Sequence, residues 1–175
     1  MSTHNTSVVF DVNVLVLAVS LGKSPLRSWP TPPPVSGNPA ADCLGVVNDA
    51  TEFALWLSPH VLENTVRVLH DRADWSKEDA DGYARILMRL AEHSGGGTLV
   101  PPRTVHDCSD YEDNLILDLA VETGAFLVVS EDSDLTSMSP WRGTPILRPR
   151  EFATRVDAMR RARRRRQTGA VAGRA

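Results

Sequence analysis

Five acidic side chains in this sequence stand where carboxylates can do chemistry. Asp11 closes the apolar run SVVFD, and Asp132 and Asp134 close FLVVSEDSD. Asp113 opens DYEDNLILDLAVETG, and Glu63 lies inside SPHVLENTVRVLHD. Carboxylates at strand ends, drawn from distant parts of a chain, suit a hard divalent ion such as Mg²⁺ or Mn²⁺, which takes oxygen ligands. Such like charges tolerate one another only with a cation between them. A metal-activated water acting on a phosphate ester is the chemistry such a cluster supports, so a nuclease is the first expectation.

Each acid also has a bland reading. Asp11 serves equally well as the cap of a helix that follows a strand, and Asn13 either orients that carboxylate or serves the turn. Asp132 and Asp134 could cap a short helix over Ser133–Met138, with Ser130 placed to hydrogen-bond the cluster or a phosphate. Asp113 carries the stronger argument. At about 100° per residue, Ile116, Leu117, Ala120 and Val121 form one helical face, and Asp113 projects into its middle. Asp118 and Glu122 point the other way on that count. A carboxylate aimed at the core is costly unless paired, hydrogen-bonded or metal-bound, although a first-turn position suits an anion. Glu112 falls at the margin of the same face, a supporting position. Glu63 lies with Arg67 and His70 on the polar side of its helix, and its spacing to Arg67 predicts a surface ion pair.

The elements that must position these residues alternate between strand and helix. A first strand is expected over Ser7–Asp11 and a helix from Val12, followed by residues 24–39, a segment with six prolines that reads as an insertion loop. A helix over Ala40–Ala50, a strand over Phe53–Ser58 and a helix opened by Ser58 and Pro59 follow. Ser76–His93 is the next helix, stopped by Gly95, Gly96 and Gly97. A short strand near Thr98–Val100, a helix over Tyr111–Thr123, a strand over Phe126–Ser130 and an edge strand over Thr144–Leu147 complete the pattern. This alternation predicts a mostly parallel sheet of four to five strands covered on both faces, with its site at the carboxyl ends of the strands.

At 175 residues and 42% apolar content, one domain is expected. No apolar run reaches the ~20 residues that span a bilayer. The polar N-terminus lacks the basic flank of a signal peptide, and Cys43 and Cys108 read as reduced thiols, so a cytoplasmic protein is expected. Charge is unevenly spread. Residues 148–166 hold nine arginines against Glu151 and Asp157, whereas residues 1–147 hold 20 acidic against nine basic residues. That basic stretch, expected as a helix over 149–166 ahead of a disordered 167–175, points to a nucleic acid or an acidic partner.

In order and spacing, VVFDVNVLV, LSPHVLENTVRVL, DYEDNLILDLAVETGAFLVVSEDSDL and TPILRPREF resemble the PIN-domain ribonucleases, most closely the VapC-like toxin branch. The resemblance implies a three-layer α/β/α domain over residues 1–150 and a Mg²⁺- or Mn²⁺-dependent endoribonuclease. It assigns the catalytic and metal-holding acids to Asp11, Glu63, Asp113 and Asp132, with Asn13, Ser130, Glu112 and Asp134 in support. It also implies a cognate antitoxin and a homodimer as partners. Phosphate contacts would come from Arg150, Arg155, Arg160, Arg161 and Arg163, without any membrane role. The chain departs from the family pattern at Val12, often Thr, at Glu131, often Gly, and in its long proline segment and arginine tail. Two other readings compete. A phosphotransfer domain would need a lysine near the strand-end aspartate, and only Lys23 and Lys77 are available. A non-catalytic binding module would have no need to bury Asp113.

Overall fold

A computed structural model describes residues 5–20 and 37–172, with side chains through Thr168. Its elements are β1 (Thr6–Phe10), α1 (Val12–Ser20), α2 (Pro39–Asn48), β2 (Phe53–Leu57), α3 (Pro59–Ala73) and α4 (Lys77–His93). They continue as β3 (Gly97–Thr98), α5 (Tyr111–Glu122), β4 (Leu127–Val129), α6 (Ser133–Ser137), β5 (Ile146–Leu147) and α7 (Pro149–Ala172). The insertion loop expected over 24–39 lies outside the described residues up to residue 36. From there Asn38 caps α2 by accepting from the Ala41 amide, and Pro39 occupies the first turn. The terminal helix runs to Ala172, past the end expected at Arg166. The arginine run Arg163–Arg166 and Gln167 are good helix formers that carry the helix past that point, and Thr168 Oγ1 donates back to the Arg164 and Arg165 carbonyls.

The five strands form one wholly parallel sheet in the order β3-β2-β1-β4-β5, flanked by helices. Val8, Val9 and Phe10 of the central strand are all fully buried, so both faces of the sheet are covered. That explains why these strands read as continuous apolar runs rather than alternating ones. The chain builds outward from β1 to β3, then returns to lay β4 on the other side of β1. The order therefore reverses between β1 and β4, and a crevice opens at the carboxyl ends of those two strands. Val9 stands opposite Val128, so the chain leaves both strands side by side. Asp11 follows one and Ser130–Asp132 the other.

The stop signal after α4 has a steric origin. A Cβ on Gly96 would lie 1.8 Å from the Leu55 carbonyl oxygen, so only glycine lets the chain cross β2 there. The opposite surface of α5 carries an unexpected anchor. Asp118 is buried, and its Oδ1 accepts from the Thr104 and Val105 amides at 2.8 Å each and from Thr104 Oγ1 at 3.2 Å. The helical-face count pointed Asp118 at solvent and Val121 inward. The structure reverses both, with Val121 exposed, because the 99–108 segment covers α5 from the other side. Asp118→Ala leaves the buried Val105 amide and the part-buried Thr104 amide without their acceptor and is expected to cost about 2 kcal/mol in urea denaturation. A loss below about 0.5 kcal/mol, the level of an ordinary surface substitution, would show that the anchor is dispensable.

Candidate active site

The turn after β1 is held by its own aspartate. Asp11 Oδ1 accepts the Val12 amide at 2.6 Å, while Oδ2 accepts Asn13 Nδ2 at 2.6 Å and Ser130 Oγ at 2.6 Å. Asn13 also reaches across the crevice, its Oδ1 accepting the Glu131 amide at 3.0 Å. Ser130 Oγ in turn accepts the Asp132 amide at 2.9 Å. Two loops from different strands are thus tied into one unit whose polar groups point at Asp11. Burial raises the Asp11 carboxyl above the ordinary range and repulsion from Asp132 adds to it, against the stabilising bonds from Ser130, Val12 and Asn13.

Asp132 and Asp113 both stand at helix starts. Asp132 caps α6 by accepting the Asp134 amide at 2.7 Å, which bears out the capping reading and leaves its other carboxylate oxygen outside that bond. Asp110 caps α5, leaving Asp113 in its first turn, 8% exposed. The loop before it is clamped by Asn114, whose side chain accepts the Cys108 amide and donates to the Cys108 and Asp110 carbonyls. That clamp presents the Cys108 thiol to Asp113 Oδ2 at 3.3 Å. Burial pushes the Asp113 carboxyl up to about 6, and the charges of Asp132, Asp11 and Asp110 push the same way, opposed by the Cys108 bond.

Asp11, Asp113 and Asp132 line one cleft of about 410 Å³ together with Asn13, His60, Arg72, Asp110 and Glu112. Asp113, Asp132 and Asp134 each bring a carboxylate oxygen within 4.8 Å of the other two. Such a set of mutually repelling oxygen donors, one of them with a raised pKa, fits a hard divalent cation. Asp134 therefore comes closer to this donor set than its supporting place in the sequence reading implied.

Glu63 does not join them. It is exposed and lines a separate depression of about 210 Å³ with Ser58, Pro59, His60, Val100, Pro101, Arg103 and Leu115. The cleft-facing ridge of α3 carries His60, Val68 and Arg72, which recur every fourth residue. Asn64 belongs to that ridge by spacing, and it is buried with Nδ2 bonded to the His60 ring at 2.9 Å. One residue of register, 100° of helix, separates Glu63 from that direction. Arg67 pairs with Glu112 at 3.4 Å and donates to Asn64 Oδ1, rather than pairing with Glu63. The i, i+4 series His60, Asn64, Val68 and Arg72 was the sequence signal for this face. His60 is held below the ordinary histidine range by burial, with Arg103 and Arg67 acting in the same direction against Glu112 and Glu63.

The arginines expected at phosphates are scattered. Arg150 and Arg155 are exposed along α7. Arg160 is consumed inside the fold: its guanidinium pairs with Asp49 at 2.7 Å and Glu52 at 2.6 Å, with 12% of the side chain exposed. It is an anchor of α7 and is not free to hold a phosphate. Arg161 pairs with Asp157 at 2.8 Å but stays exposed, and Arg163 is exposed. Lys77 sits on the surface against Asp81, and among the described residues no lysine lines the cleft; Lys23, the other lysine a phosphotransfer site could use, lies outside the described residues.

A family model described as a PIN domain matches residues 7–134, which include every acid of the cleft. A search of the curated proteins finds no match to the chain.

Proposed function

The chain belongs to the PIN-domain family, whose members are generally nucleases, and on that premise we propose that it is a divalent-metal-dependent endoribonuclease. The observation that carries the reading is the convergence of Asp113, Asp132 and Asp134 beside Asp11 at the point where the strand order reverses. Asp113, Asp132 and Asp134 would hold a Mg²⁺ or Mn²⁺ ion, with the Asp11 carboxylate beside them in the cleft. Such an ion, when bound, lowers the pKa of a water ligand and draws negative charge from a phosphate. The chain's own residues do the positioning. Ser130 and Asn13 fix the Asp11 carboxylate, Asn114 holds the entry to α5, and Arg72 and His60 border the cleft where a strand would pass.

A role as the toxin of a type II toxin–antitoxin pair, acting in the cytoplasm and restrained by a cognate antitoxin, is the biological setting this reading favours. The homodimer implied by the family resemblance belongs to the same proposal. Among the described residues, no helix is long and apolar enough to cross a membrane.

RNA cleavage should appear with Mn²⁺ or Mg²⁺ and vanish in EDTA. Asp11→Asn removes a charge from the cleft while keeping the shape of the turn. Several kcal/mol of lost charge stabilisation corresponds to a fall of ~100-fold or more in kcat/KM. Equal cleavage in EDTA and Mn²⁺, or equal activity of the two proteins, would refute the assignment.

A further inference from the structure

The helix α7 runs from the carboxyl edge of the sheet towards the amino edge and is tied down by ion pairs at its start and midway along its length. At its start, Arg148 Nη1 pairs with Glu131 at 3.1 Å, beside the cleft loop that carries Asp132. Phe152 then packs edge-on against Phe10 at 5.8 Å and Phe53 at 5.1 Å. Arg160 pairs with Asp49 and Glu52, which precede β2 and so mark the amino edge of the sheet. Residues 161–168 lie beyond that anchor and are exposed on every side. The arginine run therefore stands away from the acidic cleft. From Pro149 to residues 163–166 the helix rises ~21–26 Å at 1.5 Å per residue.

The projecting end has the chemistry of a phosphate reader and lacks that of a protein interface. Asp49 and Glu52 are already taken by Arg160, so Arg163 and Arg164, which line the open trough beside them, remain as surplus cations. Arg163, Arg164, Arg165 and Arg166 hold no salt bridge among the described residues. From 160 to 168 the only apolar residue is Ala162. A protein partner needs an apolar centre to exclude water, and beside this run the exposed Met159 is a single apolar side chain rather than such a centre. A polyanion with evenly spaced charges does not need one. Residues 148–166 also contain arginine to the exclusion of lysine, and the guanidinium fork matches phosphate oxygens in pairs.

We propose that residues 161–166 form a second phosphate-binding surface, at the sheet edge opposite the acidic cleft, that holds a distal stretch of the same RNA. The inference rests on the nuclease reading, and it selects a substrate class: RNAs long or folded enough to touch both edges. At roughly 3.4 Å per stacked nucleotide, a strand needs about seven nucleotides to cover that span.

The test uses the full chain with Mn²⁺ and two substrates, a single strand of about five nucleotides and a hairpin RNA of about 40, chosen on either side of that span. The triple variant Arg164→Gln, Arg165→Gln, Arg166→Gln should lose at least tenfold of the preference for the long substrate, through KM rather than kcat. Its long-RNA binding, measured by anisotropy in EDTA, should lose about two to three units of the log–log salt slope, near 0.7–0.9 per removed phosphate contact. The matched lysine triple should keep the slope. An unchanged preference, an unchanged slope, or a lysine triple as impaired as the glutamine one would overturn the proposal; an unchanged slope would turn attention to an acidic protein partner. If the wild type cleaves neither RNA, the nuclease reading fails, while the anisotropy slopes still decide the distal surface.

Discussion

Asp113→Asn is expected to abolish cleavage and to stabilise the metal-free protein at the same time. The side chain is nearly isosteric and keeps an oxygen for the Cys108 thiol, so the α5 entry should hold its shape. What disappears is a charge that burial and three neighbouring carboxylates already oppose. A carboxyl whose pKa in the fold is raised contributes stability that is fully present below its unfolded value near 3.8. That contribution is lost as pH rises through about 6. At pH 7.5 the wild type therefore carries the full burden, and asparagine does not. Two pKa units correspond to on the order of 2–3 kcal/mol, so a gain of ~2 kcal/mol is expected in metal-free urea denaturation at pH 7.5, with little gain at pH 4. Loss of one cation ligand should lower cleavage by ~1000-fold. A variant that is less stable at pH 7.5, or one that still cleaves like the wild type, contradicts the placement of Asp113 as a strained metal ligand. Opposed changes in stability and activity would be hard to obtain from a residue that merely supports the helix start.

The parts of this site that could be read in the sequence are those set by local rules. Asp11 and Asp132 follow apolar strands, and in a parallel sheet every strand end on one edge is a candidate position. Asp113 falls on the buried arc of its helix whatever else surrounds it. The parts that could not be read depend on contacts far away in the chain. Asp118 is buried because the 99–108 segment folds over α5, and no periodicity announces that cover. Arg160 meets Asp49 and Glu52 only after the whole sheet is assembled, so in the sequence it looks like any other member of the arginine run. Glu63 shows the opposite hazard. Its helical spacing placed it on the solvent side, where the structure puts it, and the family motif overrode that geometry by one residue. On α3 the cleft-facing series His60, Asn64, Val68 and Arg72 offers the site an amide rather than a carboxylate. The cleft consequently depends on the acids that follow β1 and β4 and on the start of α5.

On the proposed reading, that dependence should make cation binding steeply sensitive to pH. Asp113 must lose its proton before it can serve as a ligand, and its carboxyl titrates near 6. Above that value the group is already ionised and affinity should be flat between about pH 7 and 8. Below it the proton competes for the same oxygen, so Mn²⁺ should bind about fivefold more weakly at pH 5 than at pH 6. Asp11, whose carboxyl is also raised, steepens the fall further on the acidic side. A metal that binds only the folded form stabilises it by RT ln(1 + c/Kd), with c the free Mn²⁺ concentration, so the melting shift at fixed Mn²⁺ should grow from pH 5 to 7 while the metal-free protein loses stability over the same window. On the proposed reading the two trends have one cause: the charge that weakens the cleft is the charge that would hold the ion. Titration calorimetry in two buffers of different ionisation enthalpy reads the coupling directly, with proton release expected at pH 5.5 and little at pH 8. An affinity independent of pH from 5 to 7, or proton release that persists unchanged in Asp113→Asn, would place the ion elsewhere in the molecule.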